Sequence, residues 1–288
     1  MKAKKSLGQN FLKSEIALRK IVEAGEIKKS DIVLEIGPGK GALTAKLLEK
    51  AKTVIAVEKD NELFEFLKTK FAKEIETNTL VLVCEDILEF DIAKVVRQDL
   101  TTYKVIANIP YNITGAILKK FLTAKNQPES MILMVQHEVA KRIVARDPRH
   151  GGAGGKESLL SISVKAYGEP KIIMKVDKRY FSPSPKVDSA IIAIRNISRK
   201  LFLPPPLDKG RTEEGSRNSD PLPTSPLLRG RGIGEAKFWE IVKAGFAHKR
   251  KKLSSNLKGV CQRDTLTALG NKRAEDLSLE DWISLAKA

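Results

Sequence analysis

Ile32-Val33-Leu34-Glu35-Ile36-Gly37-Pro38-Gly39-Lys40-Gly41 reads as a buried strand that runs straight into a glycine-rich turn. The apolar run lacks the alternation of a half-exposed strand, so it reads as covered on both faces, as strands of a parallel sheet are. Glycines at 37, 39 and 41 let the chain turn sharply and approach a ligand closely, and Ala42 to Ala51 reads as the helix that follows. A nucleotide-type cofactor would lie at the carboxyl end of such a sheet, near the helix N-terminus. Thr53 to Val57 is the next strand. Glu58, 21 residues after Gly37, stands where a carboxylate accepts hydrogen bonds from ribose hydroxyls. The spacing is G-x-G-x-G rather than G-x-G-x-x-G. Gly41 in place of Ser or Thr after Lys40 excludes a Walker A loop. An ordinary strand-to-helix turn carries the same glycines, and on this loop alone NAD and S-adenosylmethionine both remain open.

Working outward, strands recur at intervals of roughly 20–25 residues with helical patterns between them, which predicts α/β architecture and a mainly parallel sheet. Leu80 to Val83, Tyr103 to Ala107 and Met131 to Val135 read as further strands, and Lys171 to Val176 and Val187 to Ile194 as runs that close the sheet. Helices are expected from Ser14 to about Ala24, from Asp60 to about Ala72, from Ile113 to Leu122 and from Glu138 to Ala145. Residues 204–236 differ: 33 residues hold six of the 13 prolines and five glycines, with no aromatic residue. That composition cannot build a packed core and predicts a disordered or loosely ordered insertion. Beyond it, Phe238 to Leu257 and Leu266 to Ala288 look helical. The expected organisation is a catalytic domain over residues 1–198, a Pro/Gly-rich insertion over 199–236 and a small all-helical domain over 237–288.

Composition narrows the partners. The 288 residues carry 52 Lys and Arg against 35 Asp and Glu, a net charge of +17. A folded, mixed-charge chain this basic points to a polyanion, nucleic acid first and acidic membrane second. Residues 237–258 hold seven Lys or Arg against one Glu, and residues 1–20 hold six against one, so these two segments supply 11 of the 17 charges. Lys249, Arg250, Lys251 and Lys252 are the densest run and the expected contact with RNA phosphates. The basic start lacks the 7–15-residue apolar stretch of a signal peptide, and no segment offers ~18 consecutive apolar residues, so no membrane partner is expected. Two separate cysteines, Cys84 and Cys261, favour a reducing cytoplasm over a disulfide framework. The histidines, His137, His150 and His248, have no metal-ligand spacing, so no metal is expected.

The sharpest chemical signal is Asn108-Ile109-Pro110-Tyr111, at the end of a buried strand on the ligand edge of the sheet. The Asn108 amide oxygen can accept a hydrogen bond from an amino group. Pro110 has no N–H to satisfy, so the carbonyl beside it is free to face a pocket, and Tyr111 can stack on a flat base. Such a site holds an aromatic amine, as methyl transfer to adenine requires. Asp86, after the Leu80 to Val83 strand, can accept from an adenine exocyclic amine. Phe181, before the last strand in Phe181-Ser182-Pro183-Ser184-Pro185-Lys186-Val187-Asp188-Ser189, is expected as the second face of a base sandwich with Tyr111.

These segments, with Ser6-Leu7-Gly8-Gln9-Asn10-Phe11-Leu12, Glu85-Asp86-Ile87 and Phe246 to Leu257 (FAHKRKKLSSNL), occur in an order that resembles the ribosomal small-subunit (16S) RNA adenine dimethyltransferase family (KsgA/RsmA). The likeness covers nearly the whole chain apart from the insertion. It implies a Rossmann-like, S-adenosylmethionine-dependent methyltransferase with a helical C-terminal domain. The implied reaction makes N6,N6-dimethyladenosine at two adjacent adenosines near the 3′ end of 16S rRNA, in an assembling 30S subunit. It also implies cofactor contacts at Asn10, Leu12, Gly37, Gly39, Glu58, Asp86 and Asn108, and a target pocket of Asn108, Pro110, Tyr111 and Phe181. Departures are Ile109 where Leu is usual, His248 and Lys251 in the basic motif, and the insertion itself. Nothing calls for an obligate oligomer, so a monomer is expected. A related enzyme acting on 23S rRNA and a non-catalytic RNA-binding assembly factor are the alternatives. An NAD-dependent dehydrogenase is disfavoured, because no His or Lys is placed for hydride chemistry.

Overall fold

The computed structural model describes residues 3–4, 7–95, 102–145, 156–203, 233–261, 266 and 269–287. The chain divides into two compact units, Met1–Ser198 and Arg199–Ala288. The first is built on strands β1 (Phe11–Leu12), β2 (Ile32–Ile36), β3 (Thr53–Glu58), β4 (Leu80–Cys84), β5 (Lys104–Asn108), β6 (Ser130–Gln136), β7 (Glu169–Val176), β8 (Phe181–Ser182) and β9 (Ser189–Arg195). Its helices are α1 (Glu15–Ala24), α2 (Ala42–Leu48), α3 (Asn61–Lys70), α4 (Ala72–Glu76), α5 (Thr114–Leu122), α6 (His137–Ile143) and α7 (Leu159–Lys165).

Seven strands form one sheet in the order β4-β3-β2-β5-β6-β9-β7. The first five are parallel, and β9 and β7 close the edge antiparallel. The expected α/β class with a mainly parallel sheet is therefore the fold. Continuous burial explains the continuous apolar runs: all five residues of β2 and the first six of β6 are buried. The chain steps outward from β2 to β4 and then returns to place β5 against β2. The strand order thus reverses between β2 and β5, and the crevice at their carboxyl ends is where such sheets bind ligands.

Local rules fix the helix starts. Ser14 accepts from the Ala17 N–H at 3.2 Å to cap α1, which buries Ala17, Leu18, Ile21 and Ala24 along one stripe. Asp60 accepts from the Glu62 N–H at 3.1 Å to cap α3. The far end of α1 is held by Lys104, only 5% exposed at the start of β5. Its ammonium donates to the carbonyls of Gly25 at 3.2 Å and Glu26 at 2.8 Å, and pairs with Asp31 at 2.8 Å.

One expectation shifts, and two elements had not been expected. The helix read to about Ala72 breaks at Phe71, and α4 follows it. Helix α7 was not legible as a periodic run, yet Ser158 and Ser161 form a reciprocal capping box at its start. Two-residue β1 pairs antiparallel with β8 across 170 residues of chain, Phe11 opposite Ser182 and Leu12 opposite Phe181.

In the second unit the long helix read over Phe238 to Leu257 is two helices, α8 (Glu235–Gly245) and α9 (Leu253–Asn256), and the C-terminal helix α10 is shorter, Leu279–Lys287. The break after α8 has a packing cause. Gly245 lies so close under Trp282 that a Cβ there would sit 2.3 Å from the indole ring. The Asn256 side chain then braces the following turn by donating to the carbonyls of Gly245 at 2.6 Å and His248 at 3.1 Å. Phe238, Ile241, Val242, Leu253, Leu257, Leu277 and Trp282 form the buried interior. Most of the 204–236 stretch lies outside the described residues. At its ends the boundary moves inward: Phe202 packs edge-on to Phe238 at 5.5 Å, and buried Ile233 leads into α8.

Candidate active site

A cavity of about 440 Å³ opens at the carboxyl ends of β2 to β5. Its walls come from Leu7–Lys13, Glu35–Lys40, Val57–Lys59, Glu85–Leu88 and Asn108–Ile113. The structure brings together there Asn10, Leu12, Gly37, Gly39, Glu58, Asp86, Asn108, Pro110 and Tyr111. The glycine loop shapes one side. Gly37 has a left-handed φ of +63° and no atom within 4 Å of where a Cβ would stand, so its missing side chain leaves room on the cavity wall. At Gly39, φ +60°, the Phe11 ring occupies that space at 3.0 Å.

Glu58 lies at the end of β3, 6% exposed. Its two oxygens accept from the backbone N–H groups of Gly39 at 3.1 Å and Asp60 at 2.9 Å. Burial raises its carboxyl above the usual range, against the pull of those two N–H groups. Each oxygen keeps a further lone pair for a hydroxyl donor. Asp86 accepts from Lys59 at 2.7 Å and from the Leu88 N–H at 2.9 Å, and Lys59 holds its carboxyl below the usual range.

Asn108 ends β5. Its amide nitrogen donates to the Asn10 carbonyl at 3.0 Å, which fixes the side-chain flip and leaves Oδ1 as an acceptor. The Tyr111 hydroxyl meets Ser189 Oγ at 2.5 Å, so the ring is pinned from the fully buried start of β9. Burial raises the phenol, the Ser189 contact opposing.

Phe181 departs from expectation. It is 2% exposed and sits in the core cluster with Leu12, Leu18 and Ile21, because β8 is sewn to β1. It does not line the cavity and forms no sandwich with Tyr111; Ser182, its neighbour, borders the cavity instead. The run Lys249–Lys252 belongs to the second unit and lies in the exposed turn between α8 and α9, not on a helix. There Lys252 Nζ reaches Asn271 Oδ1 at 3.1 Å.

Two features were missed in the sequence. Glu35, inside apolar β2, is 1% exposed on the cavity wall, and its Oε2 has no hydrogen-bond partner among the described residues. Burial pushes its carboxyl up to about 8, the Glu58 charge adding to this and the nearby Thr44 hydroxyl opposing it. A carboxylate inside an apolar strand was the available signal. The second feature is the tether of the N-terminal arm. Lys4 Nζ and Gln9 Nε2 both donate to the Asp60 carboxylate, at 2.7 and 2.8 Å.

A parallel sheet with a glycine loop, an acidic residue after the second strand and an amide–proline–aromatic turn on the same edge defines a Rossmann-like nucleic-acid methyltransferase. The comparisons make this particular. Residues 1–203 match the model of the family described as ribosomal RNA adenine dimethylase, and the chain belongs to that family. A curated relative from Dehalococcoides mccartyi (strain CBDB1), named ribosomal RNA small subunit methyltransferase A, is 38% identical over 99% of this chain and 88% of its own length. One of the same name from Fusobacterium nucleatum is 36% identical over 99% and 97%. Among solved structures, a dimethyladenosine transferase from Plasmodium falciparum superposes with TM-score 0.70 at 25% identity, covering 96% of this chain and 95% of that one. The 23S rRNA methyltransferase ErmE superposes at 0.66, also at 25% identity, covering 96% and 98%. S-adenosylmethionine is the cofactor. The space at Gly37 and the open lone pairs of Glu58 suit a hydroxylated group. Among the described residues no His, Cys, Asp and Glu cluster could hold a metal, and no helix is long and apolar enough to cross a membrane.

Proposed function

We propose that this protein dimethylates N6 of two adjacent adenosines near the 3′ end of 16S rRNA, acting as a cytoplasmic monomer on the assembling 30S subunit. The observation that carries the reading is the Asn108 amide, held by the Asn10 carbonyl so that Oδ1 is left to accept. Bound S-adenosylmethionine supplies a methyl group on a sulfonium. Gly37 leaves room for the cofactor and Gly39 admits the Phe11 ring beside it, while Glu58 would take its ribose hydroxyls and Asp86 its adenine amine, with Asn10 and Leu12 as further contacts. The N6 lone pair of the target adenine is delocalised into its ring. Asn108 Oδ1 and the carbonyl beside Pro110 accept its two hydrogens and favour a tetrahedral nitrogen with its lone pair free. Tyr111 stacks on the base. As the N6–CH3 bond forms, the sulfonium S–CH3 bond breaks to leave a neutral thioether, and the cationic product amine releases its proton to water, so positioning and electrostatics carry the reaction without a strong base. Lys249, Arg250, Lys251 and Lys252 meet phosphates without reading sequence.

The test is methyl transfer from labelled cofactor to unmethylated 30S, mature 30S and 50S particles, with the modified base mapped. Label confined to 50S would replace this reading with the 23S one. Asn108→Ala is expected to fold and to lose turnover by at least ~100-fold, the scale of removing one group that acts in the transition state; undiminished turnover would remove the amine-holding role.

A further inference from the structure

We infer that Arg179 and Tyr180 form a stacking platform for the unpaired RNA base next to the adenine being modified, with Lys178 and Lys186 placed for the flanking phosphates. This rests on the rRNA reading above and extends it to residues outside the cavity. Tyr180 is 40% exposed, and the Arg179 guanidinium lies over its ring at 5.3 Å. A tyrosine left this open beside a cation leaves apolar ring surface in water, and stacking on a base covers it.

The platform adjoins the proposed target site. The Tyr180 carbonyl accepts from the Lys13 N–H at 2.8 Å, and both Lys13 and Ser182 line the cavity. An adenine drawn into that cavity leaves its neighbour without a stacking partner, and an exposed ring on the segment beside the cavity wall can replace it.

The platform is also rigid. The Arg179 N–H donates to Asp177 Oδ1 at 2.9 Å, the Lys178 N–H to Asp188 Oδ1 at 3.1 Å and the Tyr180 N–H to the Asp177 carbonyl at 3.1 Å. Charge fits the same partner. Lys13, Lys175, Lys178, Arg179 and Lys186 face Asp177 and Asp188, a surplus of three positive charges. Lys175 is committed to Asp188 at 2.8 Å, and the Arg179–Asp177 pair is long, 3.8 Å, and exposed, so it holds the guanidinium weakly. Lys178 and Lys186 are exposed.

The experiment measures KM and kcat on unmethylated small-subunit particles, with cofactor affinity measured separately. Tyr180→Ala should raise KM for the particles roughly tenfold, the scale of losing one stacked base, and affect kcat less. Tyr180→Phe should stay near the parent, because the ring rather than the hydroxyl stacks. Lys178→Ala with Lys186→Ala should lower the log–log salt slope of particle binding by about 1.4, at ~0.7 per single-strand phosphate contact. An unchanged KM in Tyr180→Ala overturns the inference. A Tyr180→Ala protein that also loses cofactor affinity assigns the residue to the fold and overturns it equally. Failure of the unmutated protein to methylate any particle is a separate result and rejects the rRNA reading instead.

Discussion

Glu35→Gln should remove one specific slope from the pH dependence of stability. The folded carboxyl is pushed up to about 8 from an ordinary 4.5 by complete burial. Between those two values the folded chain holds a proton that the unfolded chain has released. Stability is therefore lost as pH rises through this window, by about 1.4 kcal/mol per pH unit while the folded group stays protonated. From pH 5.5 to 7.5 the loss attributable to Glu35 is about 2.5 kcal/mol, a little under the full slope because the folded group begins to ionise near pH 7.5. Glutamine keeps the shape and never ionises, while the other titrating groups, including raised Glu58, remain in both proteins. Urea unfolding of both proteins, followed by far-UV circular dichroism at pH 5.5, 6.5 and 7.5, gives the difference directly. The variant should gain on the parent by about 2–3 kcal/mol across the range. Parallel pH profiles would refute the reasoning, because they would mean that Glu35 is ionised in the folded protein at pH 7 or never leaves an ordinary environment.

Other perturbations probe the parts around this site. Gly41→Ala places a Cβ 2.5 Å from the Phe71 ring at a φ of +73°, so unfolding should show a loss of about 2–4 kcal/mol from overpacking and left-handed strain together. Lys104→Met strands the Asp31 carboxylate and two carbonyls at the end of α1, and a stability loss of about 3 kcal/mol is expected in the same urea assay. Replacing Lys249, Arg250, Lys251 and Lys252 by Ala should flatten the log–log salt dependence of RNA binding by up to ~2.8, measured by filter binding across a salt series.

Most of the sheet was legible because its strands announce themselves locally. Runs such as Met131–Val135 are apolar throughout because both faces are covered, and Ser14 and Asp60 mark helix starts through single side-chain hydrogen bonds. What escaped depended on pairings between distant segments. Nothing near Phe181 signals that residue 11 will come alongside residue 182, so an aromatic residue before a proline-rich loop read as a stacking face when its ring packs inward. The basic run escaped for another reason. Apolar spacing from Phe238 through Val242 suggests a helix that continues, but the close approach of Gly245 to Trp282 and the Asn256 hydrogen bonds close a turn instead. Four adjacent cations sit more easily in that exposed turn than on one helix, where neighbours a turn apart repel.

Asp60 shows how few residues hold the site in shape. Its carboxylate caps α3 and receives Lys4 and Gln9 from the N-terminal arm, while its own N–H supports one oxygen of Glu58. The arm then continues through Asn10, whose carbonyl orients Asn108, to Leu12 and the β1–β8 pair. The N-terminal arm thus reaches both sides of the proposed transfer: through Asp60 it braces the carboxylate assigned to the cofactor ribose, and through Asn10 it holds the amide assigned to the target amine. This gives the basic N-terminal segment a role that net charge alone did not suggest. Its lysines include one, Lys4, whose charge is spent on Asp60 inside the protein, at 2.7 Å, rather than on phosphate. The composition of that segment therefore overstates the positive charge it can offer a polyanion.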